Sequence, residues 1–239
     1  MIRTLRAGAL ALVFLTGAAR ADDLADFNTA VEAAAAHIRV AIGYLRTGNI
    51  DLAAIELDRL RTAWADVNRR FAGHPPEAFA GNATYVTAMT DIATRLVTAD
   101  MMMNSGRPQV ARDALLGIRD DLYNLRKSAG IPVLADCVRD AGEAMDALMA
   151  YDRQIDLAKP DIGQDIADKA KRYGEMLARC DRMAGAAIRN EAEFRRLVDG
   201  AQASLARIPE AVATHDADLL HRLLIELRSF DNLLAFRFG

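Results

Sequence analysis

Residues 27–71, FNTAVEAAAAHIRVAIGYLRTGNIDLAAIELDRLRTAWADVNRRF, read as two helices folded back at Gly48. Before the glycine, Phe27, Val31, Ala34, Ile38, Ala41 and Leu45 step by four and three, which places them on one helix face. Beyond it, Ile50, Ala53, Leu57, Leu60, Trp64, Val67 and Phe71 keep the same spacing. Gly48 stops the first helix, because the residue past a helix end often turns left-handed, where glycine has no Cβ to clash. Asn49 is expected to cap the second by accepting a free backbone N–H.

The hairpin recurs 58 residues on. Phe27, Val31, Ala34, Ile38, Ala41 and Leu45 fall on Tyr85, Met89, Ile92, Leu96, Ala99 and Met103, and the turn at Gly48 falls on Gly106. Ala53, Leu57, Leu60, Trp64 and Val67 then fall on Ala111, Leu115, Ile118, Leu122 and Leu125. Two such hairpins make a four-helix bundle. Gly73-His74-Pro75-Pro76 opens a loop running to about Asn82, and a third helix is expected over 84–104. The fourth starts at Pro108 and ends near Ser128, before Gly130-Ile131-Pro132.

The rest of the chain keeps the pattern. Cys137, Ala141, Ala144, Leu148, Tyr151 and Ile155 form one stripe. Ile166, Ala170, Tyr173, Leu177, Cys180 and Ala184 form the next, after a turn at Lys159-Pro160. A seventh helix carries Phe194, Val198, Ala201, Leu205, Ile208 and Val212, kinked at Pro209, which cannot donate to the ladder. The last runs from Asp216 through Leu220, Leu223, Leu227, Phe230 and Leu234. The expected fold is all-α: about eight antiparallel amphipathic helices in two tandem four-helix bundles, residues 22–130 and 131–239.

Cys137 and Cys180 are the only cysteines, and they sit at similar distances before and after the Ala158-Lys159 turn. Residues equidistant from the turn of an antiparallel hairpin face each other, so a disulfide is expected.

Residues 1–21 read as an export signal: Arg3 and Arg6, the apolar run Ala7–Leu15, then the cleavage site Ala19-Arg20-Ala21. The apolar run is shorter than the ~20 residues a membrane span needs. Cleavage after Ala21 takes Arg3, Arg6 and Arg20 away and moves the formal charge from -3 to -6. Such a mildly acidic surface argues against nucleic acid, which needs a concentrated basic face. No later run is apolar enough for a membrane span. Arginine and alanine dominate, and only Lys127, Lys159, Lys169 and Lys171 are lysines. That bias suits a GC-rich bacterial genome and, with the signal, a periplasmic destination.

From Thr98 to Lys127 the chain has a long helix, a turn at Asn104-Ser105-Gly106, and an Ala- and Leu-spaced helix. This hairpin resembles the periplasmic four-helix cytochromes of the b562 and c′ type. The resemblance implies a bundle that holds haem between a first-helix residue and a histidine late in the last helix. The matching regions here are Leu125-Arg126-Lys127 and Leu234-Ala235-Phe236, which carry no histidine. No methionine lies near Ala34 and no CxxCH is present. The resemblance therefore carries the fold and leaves the haem chemistry without its ligands.

The candidate metal ligands are His37 and the run Met101, Met102 and Met103, soft enough for copper. Three consecutive helical residues point three ways, and Met103 stands in the core stripe, so core filling explains it. Trp64, Tyr151 and Tyr173 read as packing, and the Arg-rich faces as surface pairs with nearby carboxylates. No Ser/His/Asp set, phosphate loop, ExxH pair or zinc motif stands in a fitting context. The expectation is a non-enzymatic, exported binding or accessory protein for a periplasmic partner or a small ligand. Its rivals are a haem or copper carrier with atypical ligands, and an enzyme whose site is assembled from distant residues.

Overall fold

A computed structural model describes residues 16–151 and 156–239. The chain is all-α, with no strand among the described residues. It divides after Leu125 into two compact units. The expected export signal falls largely outside the described residues; α1 (Thr16–Thr47) runs through the expected cleavage point after Ala21. None of the described helices is long and apolar enough to cross a membrane.

In the first unit, α1 packs on α2 (Ile50–Phe71), and α2 packs on α3 (Ala83–Asn104). The fourth helix, α4 (Pro108–Ser128), is tied to α3 by the Arg95–Asp121 ion pair. Proline at its first position and Gly130 beyond its end fixed both limits of α4. Gly48 and Gly106 have φ of 79° and 68°. At each, the next residue donates its N–H back to a carbonyl of the finished helix: Asn49 to Tyr44 at 2.9 Å, Arg107 to Met102 at 2.8 Å. These are Schellman turns, which satisfy carbonyls the helix itself cannot. Asn49 does not cap α2 as expected. Its side-chain amide donates to Thr47 Oγ1 at 2.7 Å instead. Asn82 does cap α3, accepting from the Thr84 N–H at 2.9 Å.

The loop before α3 holds a short turn, Glu77–Phe79, whose Phe79 is buried. Phe79 joins Phe27, Phe71 and Tyr85 in an aromatic knot with ring centroids 5.3–6.0 Å apart. The Tyr85 hydroxyl donates to the Phe71 carbonyl at 2.9 Å, and burial pushes its pKa up to about 12. Each such ring contributes about 2–3 kcal/mol by leaving water.

In the second unit, α5 (Leu134–Met149), α6 (Pro160–Met183), α8 (Ala192–Leu205) and α10 (Ala217–Phe238) pack in a closed ring: α5 on α6, α6 on α8, α8 on α10, α10 on α5. Two expectations need correcting. The stripe ending at Ile155 stops early: α5 ends at Met149, Tyr151 lies in a turn, and Ile155 lies outside the described residues. Pro209 does more than kink its helix. The chain breaks at Ala206-Arg207, and Pro209 opens a separate helix, α9 (Ile208–Ala213). A further short helix, α7 (Ala186–Arg189), precedes α8.

The two units share one register. Ala53, Leu57, Leu60, Trp64, Val67 and Phe71 of α2 match Ile166, Ala170, Tyr173, Leu177, Cys180 and Ala184 of α6, and all are buried. Tyr85, Met89, Ile92, Leu96 and Ala99 match Phe194, Val198, Ala201, Leu205 and Ile208, again all buried. Ala111, Leu115, Ile118, Leu122 and Leu125 match Leu220, Leu224, Leu227, Asp231 and Leu234. Even the short turn at Glu77–Phe79 recurs as α7, and the Gly48 and Gly106 turns recur at His215, with φ of 54°. A shared register makes each difference between the units informative.

Candidate functional site

The expected cysteine pair is brought together. Cys137 on α5 and Cys180 on α6 form a disulfide with their Cα atoms 5.4 Å apart. Cys137 holds the register position of Phe27, and Ala184 that of Phe71. Cys180 holds the position of Val67, so one end of the covalent staple takes a place that belongs to the aromatic knot in the first unit.

Of the metal candidates, His37 has a side-chain partner. His37 Nδ1 lies 2.7 Å from Glu56 Oε2, tying α1 to α2, and Arg59 donates to the other Glu56 oxygen at 2.7 Å. Glu56 is buried although it stands one residue before the apolar stripe position Leu57. Met101 is exposed and Met102 and Met103 are partly buried, so Met103 fills the core stripe only in part. The backbone carbonyls of this run accept the bonds that close α3. Among the described residues, no three His, Cys, Asp or Glu side chains are grouped to hold a metal ion. Arg126, at the expected haem-histidine station, forms a buried double hydrogen bond to Asp136 with Nε 2.9 and 3.0 Å from its oxygens. Asp136 also accepts the Val133 N–H at 3.1 Å, so one carboxylate closes the entry to α5.

Two polar groups stand inside the second unit where the first has leucines. Asp231 takes the place of Leu122, and Tyr173 that of Leu60. The sequence stripe runs through Phe230, but Phe230 is only partly buried and Asp231 is 5% exposed. The Tyr173 hydroxyl donates to Asp231 Oδ1 at 3.5 Å, and Arg228 donates to Oδ2 at 3.3 Å and to Asp146 at 2.6 Å. Burial pushes the Asp231 carboxyl up to about 6 against the pull of Arg228, and the Tyr173 hydroxyl is also raised by burial.

At the end of α5, Tyr151 donates to Asp165, and Lys169 bonds to both, at 3.2 Å to the Tyr151 oxygen. Hydrogen bonds from Lys169 and Tyr151 hold the Asp165 carboxyl below its ordinary range. These three groups pin the turn into α6.

Surface grooves of ligand size among the described residues include two. One, about 480 Å³, lies between α3 and α4 and is polar, lined by Asp91, Thr94, Arg95, Thr98 and Asp113 with Val110 and Ala114. The other, about 410 Å³, lies between α6 and the broken pair α8–α9. Its floor is Ala167, Ala170, Gly174 and Ala178 of α6 with Leu205, Ile208 and Pro209, and its rim is Lys171, Glu175 and Gln202. The small residues come at helical spacing and let α6 approach closely. A Cβ on Gly163, one turn further toward the start of α6, would stand 2.8 Å from Val212.

The register shows which residues stand at this groove's stations in the first unit. In the first unit, Arg61 on α2 pairs with Asp100 on α3 at 3.7 Å. The matching residues are Gly174 and Pro209, and both line the groove. Gln202 spans what remains, donating to the Gly174 carbonyl at 3.1 Å. The signal was present in the sequence as a glycine and a proline at paired stations of two copies. Compared with known proteins, the chain matches no family model, no curated protein and no solved structure.

Proposed function

We propose that this chain is an exported, non-enzymatic binding protein whose second unit holds a small, largely apolar ligand in the groove between α6 and α8–α9. The carrying observation is the replacement of the Arg61–Asp100 bridge by Gly174 and Pro209, which leaves about 410 Å³ of space over a floor of small apolar side chains. That size falls within the range of small-molecule sites, which are mainly apolar with a few polar groups to orient the ligand. Lys171, Glu175 and Gln202 stand at the rim as orienting groups. The export signal at residues 1–21 supports a periplasmic setting, and the disulfide suits an oxidising one.

The test is protein recovered from its own cells, with absorbance, metal content and extractable organic mass measured together. The proposal expects a colourless protein that releases one organic species per chain on denaturation. A Soret band or stoichiometric copper would instead make it a carrier of haem or metal.

A further inference from the structure

We propose that the second unit is an acid-tightened module, in which uptake of one solvent proton by the Asp231 carboxylate strengthens the packing of its helices as the surroundings turn mildly acidic. The geometry begins with position. Asp231 stands in the core register of α10, where the first unit has Leu122, and only 5% of it is exposed.

Beside it lies a void of about 10 Å³ lined by all four helices, with Val138 and Ala141 of α5, Leu177 of α6, and Phe194 and Val198 of α8 among its walls. A void of that size has room for at most one water, which needs two to four polar partners to be well held. Asp231 is the only polar side chain lining it. The charge must therefore be satisfied by its protein neighbours alone.

Those neighbours give little. From α6, Tyr173 offers a hydroxyl at 3.5 Å. From α10 itself, Arg228 offers a guanidinium at 3.3 Å, shared with Asp146 at 2.6 Å. From α5, Asp146 adds a like charge that opposes ionisation. The wall from α8 is apolar. An ionised carboxylate so placed is costly, and a neutral carboxylic acid is not.

The sign is opposite to that of an ordinary salt-bridged carboxylate. The folded state holds the Asp231 proton up to about pH 6, whereas the unfolded chain loses it near its ordinary value of 3.8. Stability is fully present below the lower value, falls as pH rises toward 6, and is flat above. Between pH 7 and pH 5 this single group shifts the folding equilibrium roughly tenfold toward the folded form.

The test is amide exchange on the full-length protein at pH 5 and pH 7, comparing protection factors of the α6 and α10 core amides in wild type, Asp231→Asn and Asp231→Leu. The ratio of protection at pH 5 to that at pH 7 should be roughly tenfold higher in wild type than in either variant. The leucine variant copies Leu122, so it keeps the comparison open if the asparagine variant folds poorly. A carboxyl-carbon NMR titration of Asp231 should have its midpoint near 6. Equal ratios in all three proteins, or a midpoint in the ordinary carboxylate range, overturn the proposal.

Discussion

Arg61 on α2 reaches Asp100 on α3 at 3.7 Å, with both side chains about half exposed. An ion pair so exposed contributes only about 0–1 kcal/mol. A copy of the unit can therefore lose it at small cost, and the second unit has Gly174 and Pro209 at those stations. With glycine and proline there, neither an arginine stem nor a carboxylate covers that seam. The same comparison puts Asp231 in the place of Leu122 and the disulfide near the place of the aromatic knot. The second unit has the groove over small residues, the small void and the buried carboxylate Asp231.

The Arg126–Asp136 pair joins the end of α4 to the start of α5, with both side chains under a tenth exposed. Removing one partner leaves the other charge buried alone. Arg126→Ala or Asp136→Asn should each lower stability by about 3–5 kcal/mol in urea unfolding. The double change to Met and Leu should recover much of that loss.

The disulfide between Cys137 and Cys180 closes a loop with a sequence separation of 43. Its loss in the paired Cys→Ser variant should lower the stability of the second unit by about 3–4 kcal/mol, because the unfolded chain regains loop freedom. Thiol titration of the denatured, unreduced protein should find no free thiols. Two free thiols per chain would refute the bond.

His215 carries a positive φ of 54° in a turn built like those at Gly48 and Gly106. Its N–H bonds to Val212 at 3.2 Å, and the Asp216 N–H bonds to Ala211 at 2.9 Å. Left-handed backbone costs a side-chain-bearing residue about 1 kcal/mol or more. His215→Gly should raise the melting temperature, and Gly48→Ala should lower it by a similar step. Opposite signs at the two sites are the decisive outcome.

The helices with strong punctuation were legible from sequence. Pro108 and Gly130 bracket α4, and the Gly48 and Gly106 turns came out as read. The end of α5 was not, because Tyr151 falls on the apolar period and looks like core. Its hydroxyl instead reaches Asp165 and Lys169, and the helix is over by Met149. Phe79 hid in a Gly- and Pro-rich loop without periodicity, and its burial depends on three rings from distant segments. Asp231 was missed because an aspartate beside Phe230 is naturally assigned to the surface. Only its alignment with Leu122, through burial at every neighbouring station, places it inside. The groove was hidden for a related reason: no single residue marks it, only the absence of Arg61 and Asp100 from the second copy.

The most direct test restores that pair. Gly174→Arg replaces a helix-interior glycine with a better helix former, and Pro209→Asp puts an acidic residue in the first turn of α9, where the helix dipole favours it. The double variant should fold at least as well as wild type while closing the groove. Wild type and variant would be recovered from the same cells, matched for circular dichroism and melting, and their extractable organic ligand measured per chain. Binding in the groove predicts close to one ligand per chain in wild type and close to none in the variant; equal content in the two proteins would contradict it.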